Sequence, residues 1–133
     1  MAEKDFRLNQ AGNLPDETWR RLMGNKGLIK TKRRLNVKYL GTHSIFRLTS
    51  ISGTKFVFEV YSPREGLVLA MEIPSDGTRK NYEDMNYFGE CFIGRPSIEL
   101  EENLLFIPSE RPIRIVRSIQ KIEILEEHPC FPE

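Results

Sequence analysis

The clearest pattern in the chain is an alternation of apolar and polar positions between residues 44 and 74. Three segments carry it: Ser44–Ile51, Thr54–Tyr61 and Leu67–Ile73. A period of two places alternate side chains on one face of a strand, which a helix cannot do. Ser52-Gly53 suits a tight hairpin, and residues 62–66 suit a wider one because they include a proline and a glycine. The pattern predicts a three-stranded antiparallel meander.

Upstream of the meander, the sequence predicts a short helix over residues 15–23. Pro15 is tolerated in a first helical turn, and Asp16 and Glu17 suit the positive end of the helix dipole. Residues 1–12 are polar, and we expect them to form a flexible arm. The first element of the folded domain is therefore expected to be helical.

The segments after the meander are less regular. Asn81–Gly94 fits one or two helical turns, because several large side chains lie three apart, or a strand through residues 91–93. Ser97–Leu100 and Leu104–Ile107 predict a second hairpin. Pro112–Leu125 has helical and strand periods together, and its β-branched residues favour strands.

These elements predict a mainly β chain with about eight short strands and turn signals about every ten residues. The preferred architecture is a single antiparallel β-sandwich with a short N-terminal helix, spanning residues 13–126 and followed by a tail at 127–133. Its size and strand count are C2-like, which is a comparison of architecture only. The alternative is a pleckstrin-homology-like barrel with a C-terminal helix at 112–125. At 133 residues, either could bury a core without disulfides.

The compartment predicted from the sequence is the cytoplasm. Only two cysteines occur, Cys91 and Cys130, which does not support a disulfide framework. The sequence has no secretory leader, no apolar run near about 18 residues, and no Asn-x-Ser/Thr acceptor.

No catalytic or cofactor signature is recognisable, so the chain is not predicted to be an enzyme. A small enzyme using Cys91 as nucleophile and His43 as base is a remote alternative, since free cysteines are usually small buried hydrophobes. His128-Pro-Cys130 lacks the second ligand pair of a zinc site, and residues 74–84 lack the acidic cluster that Ca²⁺ requires. Glycine-rich phosphate loops are absent as well.

Charge is distributed unevenly, with a net +6 over residues 1–38 and −5 over residues 39–133. Six cationic side chains and no acids fall between residues 26 and 38: Lys26, Lys30, Lys32, Arg33, Arg34 and Lys38. We expect two short strands here with a charged bend at Thr31–Arg34. The cations are either a solvated surface or a site for an acidic partner. Nucleic acid is disfavoured, because such domains typically have a pI above about 9.

A second candidate is the aromatic segment from Tyr82 to Phe92, in which Tyr82, Tyr87 and Phe88 could anchor a partner. The competing interpretation is that these side chains close the end of the core.

Together these features predict a non-enzymatic protein-binding or scaffolding module, a subunit of a larger assembly, whose basic stretch engages an acidic protein surface. The alternative is a peripheral domain that binds anionic lipid through the same cations.

Overall fold

The computed structural model describes residues 30–73, 86–109 and 112–129. Ten strands are present in this part of the chain: β1 (Lys30–Lys32), β2 (Arg34–Asn36), β3 (Ile45–Thr49), β4 (Lys55–Ser62), β5 (Leu67–Ile73), β6 (Asn86–Ile93), β7 (Ser97–Glu99), β8 (Leu104–Pro108), β9 (Arg114–Val116) and β10 (Lys121–Glu126). Short 3-10 turns follow β2 at Val37–Tyr39 and β4 at Pro63–Glu65. The predicted helix at 15–23 lies outside the described residues.

Eight strands form one antiparallel sheet in the order β1-β10-β3-β4-β5-β6-β8-β9, and β2 pairs with β7 in a separate two-stranded sheet. Among the described strands, β1 and β9 are the two ends of the large sheet, which is not closed. The mainly β, antiparallel class is therefore confirmed. The β-sandwich arrangement stays a prediction.

The predicted meander is present as β3, β4 and β5, paired in sequence order. Ser50 N donates to Thr54 O at 2.9 Å, and Gly53 takes a positive φ of 91° between them. A side chain is disfavoured at that backbone conformation, which explains the glycine. The alternation therefore identified both the strands and the turn.

The core lies against one face of the large sheet, which we call the inner face. Phe106 of β8 is near its centre, with the ring centroids of Phe56, Phe58 and Phe88 at 5.9, 5.4 and 5.5 Å from its own. Burying each of these rings contributes roughly 1.5–3 kcal/mol to stability. The aromatic contacts hold β4, β6 and β8 around a common centre.

The opposite face, which we call the outer face, is also buried over the central strands. Its buried apolar residues are Ile45, Val57, Leu69, Met71 and Ile73. Among them lies an ion pair in which Arg47 Nε and Nη2 donate to Glu123 Oε1 at 2.9 and 2.7 Å. Only 5% of Arg47 and 8% of Glu123 is exposed. Both faces of these strands are thus removed from water.

The expectation of a second hairpin is half right. Both segments are strands, but β7 pairs with β2 while β8 pairs with β6 and β9. The intervening turn is held by other parts of the chain, because Leu100 N donates to Arg33 O and Glu101 N donates to Ile119 O. These bonds direct β7 away from β8.

The alternative of a barrel with a C-terminal helix is wrong, because residues 112–125 contain β9 and most of β10. Ile122 and Ile124 point into the inner-face core, and Glu123 between them lies on the outer face. Such alternation requires a strand. Residues 86–93 of the second ambiguous segment are also a strand, β6.

Candidate functional site

The basic stretch is formed by β1, a bend at Arg33, and β2. All five of its described cationic side chains are exposed: Lys30, Lys32, Arg33, Arg34 and Lys38. Lys26 lies outside the described residues. The strand bends here because β1 pairs with β10 in the large sheet, whereas β2 pairs with β7. The bend therefore carries exposed charge at the junction of the two sheets.

The cations of this stretch differ in their surroundings. Lys30 Nζ donates to Glu127 Oε1 at 2.6 Å, whereas Lys32, Arg33 and Arg34 form no ion pair with any described residue. Arg34 lies opposite Glu99 in the β2–β7 register, which reduces the local positive potential at that end. The net positive surface is therefore centred on Lys32 and Arg33.

The structure adds a cation that the sequence did not reveal. Lys32 pairs with Ile122 across β1 and β10, and Lys121 directly precedes Ile122 at the start of β10. Lys121 is exposed. It is distant in sequence, and its position could not be identified before the strand pairing was known.

Of the three predicted aromatic anchors, Phe88 is the one whose side chain the structure describes, and it lies in the core. Phe88 is 8% exposed and lies in the inner-face core, where the Arg114 guanidinium stands 5.2 Å from its ring centroid. Tyr82 lies outside the described residues, and only the backbone of Tyr87, paired with Met71, is described. Among the described side chains of this segment, the exposed aromatic is Phe92, at 45%.

Both histidines of the chain meet at the start of β3. Ile45 pairs with Glu126, and extending that antiparallel register by two residues places His43 opposite His128. The two ring centroids are 6.2 Å apart in an edge-to-face arrangement. His43 Nδ1 lies 3.2 Å from Glu59 Oε2, and His128 Nε2 lies 2.7 Å from Glu126 Oε2. Each imidazole therefore has its own carboxylate.

The backbone around these histidines fastens the last described residues to β3. His128 N donates to the buried Ser44 Oγ at 2.9 Å, and Gly41 N donates to His128 O at 3.0 Å. His43 has a positive φ of 78°, a left-handed conformation that is uncommon but that histidine adopts more often than most residues with a side chain. The Ser44 hydroxyl is engaged with the backbone of His128, so it is not presented as a nucleophile.

An open cleft of about 570 Å³ borders this cluster. Its lining residues are Lys30, Tyr39, Ile124, Leu125, Glu126, Glu127, His128 and Pro129. Lys30 and Glu127 are paired with each other across one side. The lining mixes both charges with apolar groups, and it contains no serine, threonine or cysteine.

The structure does not unite Cys91 with a base. Cys91 is 1% exposed in the inner-face core, and its Sγ donates to Gly89 O at 3.5 Å, whereas His43 faces Glu59 and His128. Within residues 30–73, 86–109 and 112–129, no group of three or more His, Cys, Asp or Glu side chains could hold a metal ion. The same residues include no helix of the length and apolarity needed to cross a bilayer.

Comparisons with protein-family models, with curated proteins and with solved structures found no match to this chain. Function is therefore argued from its surfaces alone.

Proposed function

We propose that this chain is a non-enzymatic protein-binding or scaffolding module, an adaptor subunit of a larger assembly, that engages an acidic protein surface through the basic stretch. The observation that carries the proposal is the exposure of all five described cations of that stretch, which lie on β1 at the edge of the described part of the large sheet, at the bend, on β2 and on the following 3-10 turn. Lys121, which precedes the Lys32 partner Ile122 on β10, adds a further exposed cation near this stretch.

The proposed binding depends on several cations acting together. A single exposed ion pair contributes about 0–1 kcal/mol, because water and salt screen it. Neighbouring cations that have no acid partner among the described residues, such as Lys32 and Arg33, add their potentials within a screening length of about 8–10 Å. We therefore expect rapid, salt-sensitive capture of an acidic surface.

The edge itself favours contact through side chains. Lysines on a short edge strand discourage another strand from adding to it, and β1 has Lys30 and Lys32 in three residues. A partner would therefore meet the cations rather than extend the sheet.

The remaining titratable groups support a module without chemistry of its own. Both histidines are engaged with glutamates beside the residues that fasten the C-terminal segment, and the thiol of Cys91 is enclosed in the core. A buried cysteine that forms no disulfide is compatible with the reducing cytoplasm, which we propose as the location.

The test compares charge reversals of equal size. Arg33→Glu, and in a second variant Lys32→Glu with Arg33→Glu and Arg34→Glu, would be used as baits in quantitative affinity purification with mass spectrometry. Arg64→Glu is the control for the single variant, because Arg64 is equally exposed on the 3-10 turn between β4 and β5. We expect acidic proteins captured by the wild-type chain to fall at least tenfold with the triple variant and to persist with Arg64→Glu.

Identical capture by the wild-type chain and the triple variant would refute the assignment of this surface. The anionic-lipid alternative is tested by sedimentation with vesicles that contain or lack phosphatidylserine. Each cation near an anionic membrane contributes about 1 kcal/mol, so three should give salt-sensitive sedimentation. Lipid binding that the triple variant abolishes, without loss of any acidic protein, would favour the lipid alternative.

A further inference from the structure

A second exposed surface lies at the other end of the strand order from the basic stretch. We call it the outer apolar patch, and it consists of Phe92, Leu105, Ile107, Ile113 and Ile115. Phe92 and Leu105 are 45% exposed, Ile107 is 39% and Ile113 is 53%, while Ile115 is half-buried. Single exposed apolar residues are normal, but a contiguous group marks an interaction site.

Strand register makes the patch contiguous. Phe92 of β6 pairs with Ile107 of β8, and Leu105 of β8 pairs with Ile115 of β9. Ile113 precedes β9 by one residue, which places it across from Ile107 in the same register. Directly paired side chains on one face lie about 4.5–5.5 Å apart at Cβ. The five side chains therefore form two adjacent rows across three neighbouring strands.

Opposite charges flank the two rows. Glu90 lies on β6 two residues before Phe92, and Arg117 lies just beyond the end of β9, two residues after Ile115. Both side chains are exposed, and neither forms an ion pair with a described residue. The patch thus has an acidic border at one end and a basic border at the other.

We propose that the outer apolar patch associates face to face with the same patch on a second copy of this chain. A two-fold axis that runs parallel to the sheet just above the patch, perpendicular to the line from Glu90 to Arg117 and over its midpoint, places patch on patch. It also sets Glu90 of each copy against Arg117 of the other. In such an isologous contact, one symmetry operation pairs the acidic border of each copy with the basic border of the other. The proposal concerns a surface separate from the basic stretch and does not depend on the proposed function.

The size of the patch sets the expected strength. A standard stable interface buries about 800 Å² per partner, and five partly exposed side chains supply only the centre of such an area. We therefore expect a reversible dimer with a dissociation constant on the order of 10–100 µM.

The test is sedimentation equilibrium of the full chain at concentrations below and above that range. The weight-average mass should rise from 15.5 kDa towards twice that value. Ile107→Lys, at the centre of the patch, should raise the dissociation constant at least tenfold. Tyr39→Lys is the matched control, because Tyr39 is 77% exposed and lies outside the patch, and it should leave the dissociation constant unchanged.

A charge swap tests the symmetry directly. Glu90→Arg and Arg117→Glu should each weaken the dimer severalfold, because each creates two like-charge contacts, and the double variant should recover the wild-type dissociation constant. These exposed substitutions keep the proposal testable if Ile107→Lys fails to fold. A wild-type chain that remains at 15.5 kDa throughout, or a double variant no better than the singles, would overturn the proposal.

Discussion

The outer face of the large sheet presents two opposite surfaces. Over β10, β3 and β4 it buries charge: Arg47, Glu59 and Glu123 are 5%, 0% and 8% exposed. Over β6, β8 and β9 it exposes large apolar side chains instead. The buried charged side chains of one half and the exposed large apolar side chains of the other both depart from the usual relation between polarity and burial.

The difference between the two halves shows how buried charges and exposed apolar side chains are each stabilised. A buried charge is stable only when it is paired and hydrogen-bonded, and the buried half provides the Glu123 carboxylate for Arg47 and a hydrogen bond between His43 and Glu59. An exposed apolar group cannot be stabilised by pairing within the chain in this way, because only contact with another surface removes it from water. The buried half is therefore completed by pairing within the chain, and the exposed half is the part suited to a partner.

The largest effect is expected from breaking the buried ion pair. Glu123→Ala leaves the Arg47 guanidinium without this carboxylate, and we expect the free energy of unfolding to fall by about 3 kcal/mol. Replacing both residues, Arg47→Met with Glu123→Leu, should recover most of that loss, because no charge remains buried. Chemical denaturation measures both variants, and a loss below about 1 kcal/mol for the single variant would show that water reaches the pair.

A smaller loss is expected where the C-terminal segment is fastened to the start of β3. A Cβ on Gly41 would overlap the carbonyl oxygen of Pro129 and lie 2.8 Å from His128 O. Backbone cannot yield as a side-chain tip does, so Gly41→Ala should lower the free energy of unfolding by about 1–3 kcal/mol. Gly94→Ala is the control, since its nearest neighbour is 4.0 Å away. Equal stability of the two alanine variants would contradict the close approach.

The last prediction makes the same substitution at one isoleucine in each half of the outer face, and the exposed isoleucine should show the smallest effect. Ile73 is 1% exposed on β5, and Ile107 is 39% exposed on β8. Ile73→Thr buries a hydroxyl and leaves a gap, so it should cost about 2 kcal/mol, whereas Ile107→Thr should change the free energy of unfolding by less than about 0.5 kcal/mol. Denaturation at low protein concentration, where the chain is monomeric, measures both. Similar losses of unfolding free energy for the two variants would mean that the two halves of the outer face do not differ in burial.

Much of the fold could be predicted because its signal is local. The alternation in residues 44–74 identified β3, β4 and β5, since a strand shows its faces in its own sequence. Partner choice is not local, which is why β7 and β8 were expected to pair with each other. Nothing in Ser97–Leu100 indicates that Leu35 of β2, rather than a residue of β8, will lie beside Ile98.

The surfaces were predictable only in part for the same reason. The basic stretch is contiguous in sequence, so its charge was visible, whereas Lys121 joins it only through the β1–β10 register. The histidine pair depends on the register of β3 and β10. The outer apolar patch combines residues 92, 105, 107, 113 and 115, and its exposure reflects which half of the sheet the chain leaves open.

Arg33 sits between two strands that belong to different sheets, and its carbonyl accepts the Leu100 amide beyond the end of β7. Arg33 thus links the two sheets through the backbone. A force applied to its side chain would be transmitted through β1 to β10 and through β2 to β7. A partner bound at Arg33 would therefore restrict movement of the two sheets relative to each other.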